Sequence, residues 1–121
     1  MAHLNDMAKE IYLGNVSRGF WEKKREIGTL LMLVTSELSE ALEADRKDHH
    51  CVADLRNCFP DSGFDKEFFE KNVKDTFEDE IADAIIRLLD LCGHMNINID
   101  DHIKAKLHYN ATRGYKHGKR Y

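Results

Sequence analysis

Ile27-Gly28-Thr29-Leu30-Leu31-Met32-Leu33-Val34-Thr35-Ser36-Glu37-Leu38-Ser39-Glu40-Ala41-Leu42 decides the fold class. Ile27, Leu30, Leu31, Val34, Leu38, Ala41 and Leu42 recur at intervals of three and four, the period of a helix buried along one face. This spacing predicts a helix from about Glu22 to Lys47. Upstream, Leu4, Met7, Ala8, Ile11 and Tyr12 trace a first helix that Gly14 and Gly19 are expected to end. Downstream, residues 48–64 carry the one proline, Pro60, and no sustained period, and read as a loop with room for one helical turn. A short helix is expected over 65–73. A fourth starts at Asp75 or Thr76 as N-cap, with Glu78, Asp79 and Glu80 in its first turn, and runs to about Gly93. The last helix, capped by Asn98 or Asp100, carries Ile99, Ile103 and Leu107 and frays near Gly114. No alternating strand pattern competes, so the chain is all-α, and its length predicts a single domain over 1–121.

The 121 residues are 42% hydrophobic and 33% charged, which excludes a disordered chain. No apolar run approaches the roughly 18 residues of a membrane-spanning helix. The N-terminal stretch Met1-Ala2-His3-Leu4-Asn5-Asp6 lacks the basic-then-apolar layout of a secretion signal, so a cytoplasmic location is expected. Cys51, Cys58 and Cys92 are odd in number and without CxxC spacing, as expected of free thiols. The net charge of −4 is unevenly spread: every acid lies at or before Asp101, whereas Lys104, Lys106, Arg113, Lys116, Lys119 and Arg120 stand beyond it with none. Such a basic arm binds nucleic acid, a phosphorylated small molecule or its own acidic body, and charge alone does not choose.

Two segments share one pattern of acid, aliphatic, small, acid, Ala, aliphatic: Glu37-Leu38-Ser39-Glu40-Ala41-Leu42 and Glu80-Ile81-Ala82-Asp83-Ala84-Ile85. At about 100° per residue the first acid lies at 0°, the second near −60° and the Ala near +40°, against an aliphatic stripe from about +20° to +120°. Both pairs therefore sit on the same edge of the apolar face, and the alanines leave room for a second helix or an ion. If the stripes pack together, four carboxylates converge and repel one another unless a cation sits among them. Oxygen ligands without His or Cys suit Mg²⁺ or Mn²⁺ over zinc, and the absence of a Glu-x-x-His element argues against a di-iron bundle. Acids three apart are common on solvated helices; the shared register singles out these two pairs.

Around them, Asn110, Arg113, Tyr115, Lys116, His117 and Lys119 offer planar and cationic donors suited to a polyphosphate, or else form a solvated tail. Phe20 and Trp21 either stack on a base or pack in the core. Asn15 either reads a base edge or caps a helix. His49, His50 and Cys51 have no partner spacing that makes them soft-metal ligands. Arg87 is expected to pair with a carboxylate of its own helix or to meet a phosphate. Ile86 and Leu89 widen the apolar arc of the fourth helix, as expected of a bundle centre or of a helix covered by a second subunit.

The two acid pairs, together with Gly19-Phe20-Trp21, Leu33–Glu43, Phe77–Ala84 and Tyr109-Asn110-x-x-Arg113-x-x-Lys116-His117-Gly118-Lys119, resemble the MazG-like nucleoside triphosphate pyrophosphohydrolases over nearly the whole chain. The resemblance implies a four-helix core, dimeric or built from dimers. It implies hydrolysis of an NTP or dNTP to the monophosphate and pyrophosphate with Mg²⁺, or Mn²⁺ in its place, in nucleotide pool control or the removal of aberrant nucleotides. Glu37, Glu40, Glu80 and Asp83 would be the metal-holding catalytic carboxylates, with Glu37 the most suitable to orient the water instead. Lys106, Asn110, Arg113, Lys116, Trp21 and Asn15 would contact the substrate. A membrane is not an expected partner. Neither is nucleic acid, which belongs to the alternative of a non-catalytic helical interaction module with a basic tail. Two departures stand out. The 39 residues between Glu40 and Glu80 exceed the family's usual spacing and imply an insertion after the second helix, and Gly114 stands where some relatives carry Pro.

Overall fold

The computed structural model describes residues 3–121, so Met1 and Ala2 of the stretch read for a secretion signal lie outside the described residues. Among the described residues every regular element is helical, as the periodicity predicts: α1 (Leu4–Ser17), α2 (Ile27–Arg46), α3 (Lys66–Asn72), α4 (Phe77–Met95) and α5 (Ile99–Ala111), with 3-10 turns at Leu55–Cys58 and Tyr115–Gly118. Among the described residues no helix is long and apolar enough to cross a membrane. The chain forms two compact units, residues up to Lys23 with Leu89–Tyr121, and Lys24–Leu88.

In the first unit, α1 runs through Gly14, against expectation, and is stopped by Gly19. The Gly19 N–H donates to the Val16 carbonyl (3.1 Å) and that of Phe20 to the Asn15 carbonyl (3.0 Å). This closing motif needs the left-handed backbone that Gly19 supplies at φ +87°. The N-cap residue of α1, His3, makes no side-chain bond. Instead the Asp100 carboxylate of α5 accepts from the Leu4 and Asn5 amides at 3.1 and 3.0 Å, so one helix caps another. Likewise α4 passes Gly93 and ends only where Asn96 turns left-handed (φ +54°). Gly93 serves a different purpose, because a Cβ there would lie 2.5 Å from the Ala8 carbonyl oxygen and 2.6 Å from the Tyr12 Cβ. The backbones of α1 and α4 meet at that point.

In the second unit, α2 starts at Ile27 rather than Glu22. Lys23, Lys24 and Arg25 precede it, and three cations are unfavourable at the positive end of a helix. The predicted α2 stripe is only half covered. Leu30, Val34, Ala41 and Ala44, between about −20° and +60° from Glu37, are buried. Ile27, Leu31, Leu38 and Leu42, from about +80° to +140°, are 46% to 52% exposed. The same flank of α4 leaves Ile85 and Leu88 exposed, whereas Leu89, expected outside the main stripe, is buried.

Between α2 and α4 the long connection holds one 3-10 turn and α3, as expected. Leu55, Cys58, Phe59, Phe64, Phe69 and Val73 line an apolar pocket of about 220 Å³ in it. All three cysteines are free.

Replacing Gly93 by Ala is expected to destabilise the protein by about 1–3 kcal/mol despite the better helix propensity of Ala, because the crossing backbone has to move. Thermal unfolding followed by circular dichroism checks this, and an unchanged or higher Tm would contradict the close crossing.

Candidate metal centre

The four carboxylates read from the sequence lie in the second unit on α2 and α4. In each pair the first acid is buried and the second exposed: Glu37 and Glu80 face inward, Glu40 and Asp83 outward. The alanine after each pair is buried too, Ala41 on α2 and Ala84 on α4, which keeps side-chain bulk away from the seam. One carboxylate oxygen from each of Glu37, Glu40 and Glu80 falls within a group whose members all lie within 4.8 Å of one another. Asp83 is outside this group but close beside it. Burial raises its carboxyl above the ordinary aspartate value, and the charges of Asp79, Glu37 and Glu40 push the same way against Arg87.

Glu37 is compensated: its Oε1 accepts from Arg87 Nε at 2.9 Å. Arg87 thus reaches α2 rather than an acid of its own helix, because at about −20° from Glu80 it shares the inward face with Ala84. A buried carboxylate draws a guanidinium when one is in range. Glu80 has less help. It is 5% exposed, and its Oε2 is buried with no hydrogen-bond partner. Burial first, and then the Glu40 and Glu37 carboxylates, push its carboxyl up to about 8.

Several residues at this centre were not singled out from the sequence. Asp75, Asp79 and Glu80 form a second group with oxygens within 4.8 Å of one another. The sequence offers Asp75 or Thr76 as the helix cap and places Asp79 in the first turn. The N-cap itself is Thr76, whose Oγ1 accepts from the Asp79 amide (3.3 Å), while Asp79 Oδ2 accepts from the Asp75 amide (3.0 Å). A cleft of about 410 Å³ is lined by Glu40, Glu43, Ala44, Lys47, His49, Asp75 and Glu80. Lys47 and His49 therefore share a cleft with the acids. They reach it because Asp48 takes φ +53° after α2 and the His49 amide returns to the Ala44 carbonyl, a turn for which apolar spacing carries no signal.

His50, adjacent, is a bridge and not a ligand: its ring nitrogens meet Glu78 Oε2 and Asp45 Oδ1, each at 2.9 Å. Both bonds raise its pKa, Glu78 first. The Cys51 amide, and then His50, hold the Glu78 carboxyl down at about 2. Together with the Phe77 amide on the His49 carbonyl (2.9 Å), these contacts fasten residues 49–51 to the start of α4.

The other six predicted contacts belong to the first unit. Trp21 Nε1 donates to Asp90 Oδ1 (3.1 Å), and its ring stacks on His94 at 4.0 Å and meets Tyr12 edge-on. Asn15 closes the C-terminal turn of α1, its side chain accepting from Arg18 at 3.0 Å; it does not start a helix. Lys106 and Arg113 lie over the Tyr109 ring, 5.1 and 5.6 Å from its centre. Asn110 keeps a buried Oδ1 without a partner, and Lys116 sits in the terminal 3-10 turn at φ +53°.

The chain matches no protein-family model, no curated protein and no solved structure. What this centre can do therefore rests on its own chemistry. Three carboxylates with one guanidinium among them make a hard, anionic oxygen site.

A pH dependence follows. Between the ordinary carboxyl value of 4.5 and about 8, folded Glu80 keeps a proton that the unfolded chain releases, so its contribution to stability falls as pH rises through that window. In metal-free buffer Glu80→Gln is expected to raise Tm by roughly 4 °C or more near pH 8. The gain should shrink toward pH 5. A Tm difference independent of pH would contradict the burial of an ionisable Glu80.

Proposed function

We propose that this protein is a divalent-cation-dependent pyrophosphohydrolase of the MazG-like kind, cleaving an NTP or dNTP to the monophosphate and pyrophosphate. The observation that carries the reading is the meeting of Glu37, Glu40 and Glu80 from two helices, with a buried Glu80 oxygen that no protein group satisfies. Such an oxygen is costly in a metal-free interior and is what a cation ligand looks like before the cation binds. The donor set is all carboxylate, which fits Mg²⁺ or Mn²⁺. Glu37, Glu40 and Glu80 would hold the ion, with Asp83 beside them.

Bound there, the ion supplies charge neutralisation for the phosphates and a lowered pKa for the attacking water. The protein's own residues do the rest. Arg87 fixes the Glu37 carboxylate by its Oε1, leaving Oε2 to accept a proton from a water or to join the ligand set. Lys47 and His49, in the same cleft as Glu40 and Glu80, offer cationic and hydrogen-bonding groups to phosphate oxygens that the ion does not reach. Attack at the α-phosphorus with loss of pyrophosphate is the chemistry that the family resemblance implies.

We also infer self-association. The exposed flank of Ile27, Leu31, Leu38 and Leu42, with Ile85 and Leu88 on α4, is an apolar surface that a second copy would cover.

With Mg²⁺ or Mn²⁺ and a panel of standard and modified NTPs and dNTPs, pyrophosphate is expected as the first product. Glu40→Gln is expected to lower kcat by roughly 100-fold or more. Lys47→Ala is expected to act mainly on KM. A panel without pyrophosphate release, while Glu40→Gln simply stabilises the fold, would end the catalytic reading.

Light scattering after gel filtration is expected to give a dimer or a multiple of it, and the double substitution Leu31→Lys with Leu38→Lys a monomer. A wild-type monomer would contradict the self-association.

A further inference from the structure

His50 is held by both of its ring nitrogens. Nδ1 lies 2.9 Å from Glu78 Oε2 at the start of α4, and Nε2 lies 2.9 Å from Asp45 Oδ1 near the end of α2. Ionised carboxylates accept hydrogen bonds and do not donate them. A neutral imidazole has a single N–H and serves one such partner; the imidazolium, with an N–H on each nitrogen, serves both. The charged groups that face the ring are one acid from each helix, Asp45 and Glu78, with the Phe77 ring of α4 packed against it at 5.0 Å. Its titratable chain neighbours are His49, which lines the cleft, and Cys51, whose amide donates to the other Glu78 oxygen at 2.7 Å.

Losing one proton changes the geometry and not only the charge. Whichever nitrogen gives it up then turns a lone pair toward a carboxylate, acceptor against acceptor, and that contact has to open. What opens is the joint between α2 and α4 that carries one side of the cleft. Lys47 and His49 line the cleft with Glu40 and Glu80, and they stand in the few residues between Asp45 and His50. The backbone there is turned rather than helical, with Asp48 at φ +53° and the His49 amide on the Ala44 carbonyl at 2.8 Å. The His50 ring closes this turn on Asp45 and ties it to Glu78.

We propose that His50 is a positioning residue that acts as a pH-sensitive latch: protonated, it joins Asp45 to Glu78 and holds Lys47 and His49 on the cleft, and deprotonated, it frees them and weakens the hold on an anionic ligand. The two carboxylates raise the ring's pKa above its ordinary 6.5, Glu78 first. The latch is therefore closed below 6.5 and opens as pH rises through the raised value. Glu80 loses its proton in the same direction, but inside the acid group, so a variant that removes only the ring separates the two. The inference rests on the proposed function only for the phosphate-bearing ligand; the latch itself is read without ligand.

Heteronuclear NMR of the full chain in metal-free buffer is expected to show both His50 ring nitrogens protonated at about pH 6 and one proton lost with a midpoint above 6.5. Across that step the Cys51 and Phe77 amides, corrected for intrinsic exchange rates, should lose roughly threefold or more of their protection against hydrogen exchange. His50→Gln keeps an amide donor and an acceptor but has no proton to lose. It should show the low protection at every pH, with far-UV circular dichroism unchanged. Inorganic pyrophosphate with Mg²⁺, measured by calorimetry, should bind the wild type roughly threefold more tightly than His50→Gln at about pH 6, and equally at about pH 9. The ratio cancels the titration of the ligand and of Glu80. It should fall in the same way on a His49→Gln background, where His49 no longer titrates. A ring that titrates at or below 6.5, or amides that ignore its titration, would overturn the latch. A constant affinity ratio beside a latch that opens as described would overturn its role in positioning. No bound pyrophosphate at any pH, with ring and amides behaving as described, would overturn the phosphate reading of the cleft and leave the latch standing.

Discussion

The side chain of Glu80 has nowhere to go. It sits on the inward face of α4 in register with Ala84, and α2 brings Glu37 and Glu40 against it. An isolated carboxylate in that position would be disfavoured by several kcal/mol, and like-charged neighbours make it worse. A protein without metal has two remedies, a bound proton or a cationic partner. Glu80 takes the first, with its carboxyl held up near 8, and Glu37 takes the second, with Arg87. The proton leaves Glu80 neutral beside the Glu40 and Glu37 carboxylates, but no protein donor reaches its buried Oε2. On the proposed reading this deficit is the binding energy of the site, held in reserve until a cation arrives.

The rest of the second unit can be understood as what this constraint demands. Small residues at 41 and 84 allow the two helices to approach. The connection after α2 returns His49, His50 and Cys51 to the start of α4, where Glu78 receives two of them and the Phe77 amide the third. That fastening places Lys47 and His49 beside the acids and sets the position of Asp75. The long connection thus does more than join two helices: His49 and Asp75 line the cleft, and three of its phenylalanines line an apolar pocket.

Much of this was legible in the sequence because burial follows period. The all-helical class, the order of the elements and the two acid pairs could be read from apolar spacing alone, and the identical register of the pairs became the alternation of buried and exposed acids. Helix ends were read less well, for identifiable reasons. Gly14 and Gly93 looked like stops, yet a glycine stops a helix only where the chain needs a left-handed residue, as at Gly19; Gly93 is there for the close crossing with α1. Asn96 ended α4 instead. Three cations delayed α2. The pairing of Arg87 with Glu37 was not among the readings, a carboxylate of its own helix or a phosphate, because a wheel shows neighbours along one helix and not across to another. Asp75, Lys47 and His49 were missed because their place depends on two left-handed turns, at Asp48 and Asp75, that no periodicity announces. Trp21 reads as stacking on a base or packing in the core, and in its unit it packs on His94 and is tied to Asp90.

The most direct test is a crystal grown with Mn²⁺ and measured at a wavelength where manganese scatters anomalously. The account predicts an anomalous peak within ligand distance of Glu37, Glu40 and Glu80, with Arg87 still on Glu37. Well-ordered carboxylates at these three positions with no peak among them would contradict it.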